Sequence, residues 1–287
     1  MGLAGKAKIL INRGLRRWGV RIESLEAERA ERARLADLEA AGQFGRAIFP
    51  VLELFERCDP EEVLRRIPHY ADAMAAIDSA TDPLGYRFAN DYFSSPDAEV
   101  AYALVRDLRP GRIVEIGSGN STRLFRAAIR DGALATELVS IDPDPRCEVA
   151  SVADRVLQRR LQEVREGELL EMLGVGDVLF IDSSHKVEAG SDVVVLLLKV
   201  LPALKDGVIV HLHDIFLPFE YPREWLVERG WTWNEQYLVQ AMLQDSRAFA
   251  AIWPGHYVQR TLPGFSSYFR PESLGAGSSL WLRKCSP

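Results

Sequence analysis

Asp182 and His185 stand three residues apart, and His213 stands beside Asp214; each pair follows a short apolar run, "VLFI" and "VIVHL" respectively. Carboxylates and imidazoles gathered in this way support two kinds of chemistry. They can take a proton from a hydroxyl, since an imidazole of ordinary pKa, about 6.5, is a base at neutral pH. They can also hold a divalent cation that lowers a hydroxyl's pKa, with Asp182, His213 and Asp214 as the expected ligands. A histidine in that set suits a softer metal than magnesium, or no metal at all. His185, His213 and Asp214 are the catalytic candidates. His211 and His213 are expected on opposite faces of their strand, with His213 facing the site; His69 and His256 belong to no such grouping.

A second group lies upstream, in "RIVEIGSGNSTRLF" (residues 112–125). A strand that ends in Gly-x-Gly before a helix N-terminus lets a ligand approach the backbone closely, with free N–H groups aimed at it. The full dinucleotide fingerprint would need a third glycine where Thr122 stands. Asp142 ends the next apolar run, where a carboxylate can accept both hydroxyls of a ribose. Asp142-Pro143-Asp144-Pro145 also has the composition of a plain turn. Together, and in this strand order, the two features favour an adenosine-type ligand.

Such residues need a scaffold that brings strand ends together. From Gly111 onward short β-like runs alternate with helical patterns: "RIVEIG", "ELVSID", "DVLFID" and "GVIVHLHD" are followed by "STRLFRAAIR", a stretch around Glu148, "GSDVVVLLLKVLPAL" and "PREWLVERG". This alternation predicts a parallel sheet with helices on both faces, and the near-continuous apolar strands fit burial on both sides. Ligands of open α/β sheets sit at the carboxyl ends of the strands, where the polar clusters fall. Upstream, Asp59 and Ser95 are expected to cap helices that begin at Pro60 and Pro96. "IESLEAERAERARLADLEAA" (residues 22–41) is rich in helix formers, with too few apolar positions for a coiled coil.

"VEIGSGNSTRLF", "VSIDPDPR", "LFIDSSH" and "GVIVHLHDIFLPFEYPREW" together resemble the class I S-adenosylmethionine-dependent methyltransferases. They are most similar to the bacterial subgroup of macrolide sugar O-methyltransferases and cephalosporin-hydroxylase-like proteins. The resemblance spans about residues 90 to 285. It implies an α/β, Rossmann-like, seven-stranded and mostly parallel sheet, with "SSLWLRK" as the final strand of a reversed hairpin. An N-terminal helical extension over 1–80 would precede a methyltransferase domain over 81–287. The resemblance also implies that Glu115, Gly117 and Gly119 hold the methionine part of the cofactor and Asp142 its ribose. Ser118, Asn120 and Ser121 in the same turn, and Asp182 and Ser183 at the fourth strand, complete the expected cofactor set. In the sugar methyltransferases an Asp on one loop and an acidic pair on the next ligate magnesium, and a His three residues after the first Asp is the base. This chain keeps Asp182, His185 and Asp214 but has His213 in place of the pair's first acid.

The bulk properties narrow the partners. A chain of 287 residues, 47% hydrophobic, can bury a full core, and a net charge of −6 offers no surface for nucleic acid. Cys58, Cys147 and Cys285 are spaced for neither disulfides nor zinc, which points to a reducing cytoplasm. "KAKILINRGLRRWGVRI" (residues 6–22) is too short and too charged to span a bilayer. A basic amphipathic segment of this kind is expected to pack one face on its own protein; peripheral contact with anionic lipid is the alternative. The helical extension also offers a homo-oligomer contact. Two aromatic-rich stretches, 82–95 and 216–237, are candidates for a lid over the site, the second equally for a helical core. The acceptor is expected to be a small molecule or glycan, methylated at oxygen. A mononuclear non-haem iron oxygenase and a non-catalytic cofactor-binding scaffold are the competing functions.

Overall fold

A computed structural model describes residues 3–78, 81–145, 151–270 and 273–286. Cys147 and the stretch around Glu148 lie outside the described residues. By contacts the chain forms two compact units, one of Met1–Arg46 with Pro222–Trp231, the other of Ala47–Tyr221 with Thr232–Pro287. The first holds the helices Leu3–Leu15 and Glu26–Ala40.

The second unit is built on a seven-stranded sheet. Its strands are β1 Arg112–Ile116, β2 Glu137–Ile141, β3 Arg155–Leu157, β4 Val178–Ile181, β5 Ile209–Leu212, β6 Phe249–Pro254 and β7 Leu280–Lys284. They lie in the order β3-β2-β1-β4-β5-β7-β6. The first five are mutually parallel, and β7 runs antiparallel to both β5 and β6. Helices cover both faces, as expected of an α/β, Rossmann-like sheet.

The period of two along each strand divides the core. Val114, Ile116, Val139, Ile141, Leu179, Ile181, Val210 and Leu212 pack on one face. Ile113, Leu138, Val178, Phe180 and Ile209 pack on the other, with Trp253 and Trp281. Strands buried on both faces must be apolar at almost every position, which is why "VLFI" reads as an unbroken run. Residues 52–77 feed both layers: Leu52 and Phe55 join the first, and Val63, Leu64, Ile67, Met74 and Ile77 the second.

Two helix starts bear on the expected caps. Asp59 accepts a hydrogen bond from Glu61 N–H at 3.0 Å, as a capping residue does. Ser95 does not cap: the helix Asp97–Leu108 begins without a side-chain cap, and Ser94 C=O takes the Ala98 N–H instead. The segment 192–203 is helical throughout, with a wider turn over Leu196–Val200. No helix among the described residues is long and apolar enough to cross a membrane.

Candidate active site

The sheet's hydrogen-bond ladder aims the polar clusters. Gly117 N–H donates to Ile141 C=O, Asp182 N–H to Ile116 C=O, and His213 N–H to Ile181 C=O, at 2.9–3.0 Å. Each residue just past its strand is thereby hooked to the neighbouring strand's last carbonyl. The carboxyl ends of β1, β2, β4 and β5 finish level, and their side chains converge.

At β1 the glycine turn is shaped by close approach. Gly117 has φ +84°, and a Cβ there would lie 1.9 Å from the Asp182 carbonyl oxygen, so only glycine fits. Gly119 has no heavy atom within 4 Å of where its Cβ would stand, which leaves the turn open above the helix Asn120–Asp131. Its N–H donates to Thr122 Oγ1 at 3.0 Å. Glu115 is turned inward and fully buried, accepting from Ser121 Oγ and from Thr122 Oγ1. It therefore ties the strand to the helix start from below the turn. Burial pushes its carboxyl up to about 8; the two hydroxyls work against this, and the charges of Asp182 and Asp142 add to it.

Asp142, at the end of β2, accepts from Ser118 Oγ at 2.7 Å and from Asp144 N–H at 2.8 Å. Asn120 Nδ2 donates to Asn90 Oδ1 at 2.9 Å, and Asn90 in turn accepts from Tyr92 and Phe93 N–H. The 82–95 loop is thus pinned to the glycine turn. Ser183 Oγ is buried with no hydrogen-bond partner among the described residues.

The second cluster centres on His185. Its Nε2 lies 3.2 Å from Asp182 Oδ1 and 3.6 Å from Asp214 Oδ2, and its Nδ1 is 3.0 Å from Glu235 Oε2. His185 and Asp214 both have positive φ, 56° and 57°, a backbone state uncommon outside glycine that turns the two side chains toward each other. Trp233 covers the imidazole at 4.2 Å between ring centres. Ser278 Oγ lies 3.1 Å from Asp214 Oδ1 and 3.2 Å from Asp97 Oδ2, within reach of both carboxylates with its one O–H. Burial alone would depress the His185 pKa, but hydrogen bonds to Asp182 and Glu235 and the charges of Asp214 and Glu235 hold it well above the ordinary value. The expectation of an ordinary pKa is corrected in direction: the three surrounding carboxylates favour the protonated imidazole. For Asp182 burial opposes ionisation, yet His213 and His185 draw its carboxyl down to about 2.

His213 does not take the expected place among the ligands. The atoms that lie within 4.8 Å of one another, and so could share one metal ion, belong to Asp182, His185 and Asp214. His213 Nε2 stays 3.7 Å from Asp214 Oδ1, while its ring packs 5.2 Å from Phe93 and 5.7 Å from His211. Nor do His211 and His213 face opposite ways. Residues two apart on a strand share a face. His211 stacks on Phe180 at 4.0 Å and bonds Ser279 Oγ at 2.8 Å; burial, with His213 beside it, keeps its pKa well below the ordinary value. The sequence pattern did not single out Glu235, Trp233 or Ser278. Glu235 opens the helix Glu235–Leu243, where an acid reads only as helix-dipole compensation.

Residues 114–215 match a family model described as a methyltransferase domain. Among proteins of curated function none matches the sequence. Solved structures with similarity include an O-methyltransferase from Bacillus cereus in complex with S-adenosylhomocysteine, 15% identical, covering 79% of this chain and 95% of that one, with TM-score 0.35. A methyltransferase from Podospora anserina, also bound to S-adenosylhomocysteine, is 14% identical over 93% of this chain and all (100%) of its own, with TM-score 0.39.

Proposed function

We propose that this chain, an S-adenosylmethionine-dependent methyltransferase of the class I fold, methylates an oxygen of a small molecule or glycan, with Asp182, His185 and Asp214 serving the acceptor side. One observation carries the reading: an open glycine turn and a carboxylate–imidazole cluster occupy adjacent strand ends of one sheet. The residues suit the cofactor. The space above Gly119 is open, the Ser183 hydroxyl is buried without a partner among the described residues, and each Asp142 oxygen retains a lone pair after its one bond. When bound, S-adenosylmethionine supplies an electrophilic methyl group. Asp142 would accept from its ribose, and the open turn at Gly119 would receive its methionine end.

Two carboxylates and one imidazole also form a donor set for a divalent cation, which would lower the pKa of an acceptor hydroxyl. Here Glu235 accepts from His185 Nδ1–H and leaves Nε2 to face the two aspartates, the arrangement common around metal-bound histidines. Ser278 fixes the rotamer of Asp214, and Trp233 keeps water off the ring. The iron-oxygenase alternative rested on two histidines and a carboxylate; with His213 outside the cluster, that donor set is not assembled.

The test pairs two variants. Asp142→Ala should weaken S-adenosylmethionine binding by about tenfold or more, as charge-assisted bonds are lost. His185→Gln should leave that affinity in place while radiolabelled methyl transfer to small-molecule and glycan fractions of a cell extract falls by about 10²-fold or more. Unchanged affinity in the first variant would remove the ribose assignment. Cofactor binding by the unmodified chain with no transfer to any fraction would favour the scaffold alternative.

A further inference from the structure

The first unit carries a surface that neither methyl transfer nor internal packing uses. Seven of the twelve large apolar side chains that stand exposed among the described residues fall between residues 9 and 25: Ile9, Leu10, Ile11, Trp18, Val20, Ile22 and Leu25. Leu10 is 70% exposed and Trp18 64%. This is no loose arrangement, because the chain turns at Gly19 and is clasped back on the helix. Asn12 Nδ2 donates to Ile22 C=O at 2.8 Å, and Ile22 N–H donates to Asn12 Oδ1 at 2.6 Å. Seven exposed apolar groups within one short, clasped stretch mark a surface that meets something else.

Charge identifies the partner. Residues 1–22 contain Lys6, Lys8, Arg13, Arg16, Arg17 and Arg21 and no acid, although the whole chain carries −6. Arg21 pairs with Glu23, and Arg17 lies over the Trp18 ring at 4.0 Å. Lys8, Arg13, Arg16 and Arg17 are interspersed with the exposed apolar side chains, so cations and apolar groups share one short stretch. Two copies meeting through residues 8–25 would set five cations and one acid against the same, a net +4 on each side, which disfavours self-association. A bilayer with anionic headgroups offers both complements: headgroup charge for the cations, and an acyl boundary for Leu10, Ile11 and the Trp18 ring, which suits the interface.

We propose that residues 8–25 dock the protein on an anionic phospholipid surface, with the apolar side chains inserted at the headgroup boundary and the flanking lysine and arginines on the lipid phosphates. The test uses the full chain with vesicles of phosphatidylcholine alone and of phosphatidylcholine mixed with phosphatidylglycerol. Cosedimentation is expected with the mixed vesicles only, weakening as salt is raised. Replacing Arg13, Arg16 and Arg17 together by Gln should cut partitioning by roughly fivefold per charge, about a hundredfold in all. Leu10→Ser with Ile11→Ser should abolish it even at low salt, and Trp18→Phe should remove a lipid-dependent blue shift in fluorescence. All three variants change exposed side chains, so unchanged thermal midpoints confirm that they fold. A chain that stays in the supernatant with both vesicle types overturns the proposal. So does a lipid-free dimer that Leu10→Ser with Ile11→Ser dissociates, since the surface would then belong to a second copy.

Discussion

Glu115 offers the sharpest quantitative test, because it is fully buried beneath the glycine turn and its carboxyl is pushed up from 4.5 to about 8. A raised folded-state pKa means that the folded protein holds the proton more tightly than the unfolded chain. The stability linked to that proton is fully present below pH 4.5 and is lost as pH rises through about 8. At about 1.4 kcal/mol per pH unit, a gap of roughly 3.5 units corresponds to about 5 kcal/mol in all, of which about 3 is lost by neutral pH. Glu115→Gln removes the titration while keeping the shape and a neutral group that can bond Ser121 and Thr122. The variant should match the parent within about 1 kcal/mol near pH 5 and exceed it by a few kcal/mol near pH 8. Urea unfolding of both proteins at several pH values reads the difference directly from the midpoints. If the two stability curves run parallel across that range, Glu115 is ionised in the folded state and the assignment of its burial cost is wrong.

Gly117→Ala places a Cβ 1.9 Å from the Asp182 carbonyl oxygen at a φ of +84°, so unfolding should become easier by more than about 2 kcal/mol; an unchanged urea midpoint would show that the turn and the end of β4 can separate freely. Glu235→Gln takes away the carboxylate that holds His185 Nδ1. Methyl transfer should fall by about 10–100-fold while S-adenosylmethionine affinity stays the same, and loss of affinity at constant turnover would place the His185 side chain on the cofactor instead. In the same assay metal content should be measured: Asp182→Ala with Asp214→Ala should lose any stoichiometric divalent ion that the parent protein carries, whereas retention in the double variant would move the ion elsewhere.

The amino-acid sequence by itself determined the sheet and the strand ends. Near-continuous apolar runs, Gly-x-Gly before a helix, and Asp142 one strand later are local patterns, and strand period and turn chemistry follow from neighbouring residues alone. It also located both halves of the polar cluster, because a strand end is where an α/β fold exposes side chains. What it could not decide is which groups meet across loops. Glu235 reaches His185 from 50 positions away, and Ser278 reaches Asp214 from 64, through contacts that no sequence spacing encodes. His213 is placed like a ligand by its position beside Asp214, yet tertiary packing turns its ring onto Phe93, and the atoms within reach of one another belong to Asp182, His185 and Asp214. The same holds for protonation. A histidine's intrinsic pKa is a property of the residue, but burial and three surrounding carboxylates belong to the fold, and they set the direction in which His185 departs from it.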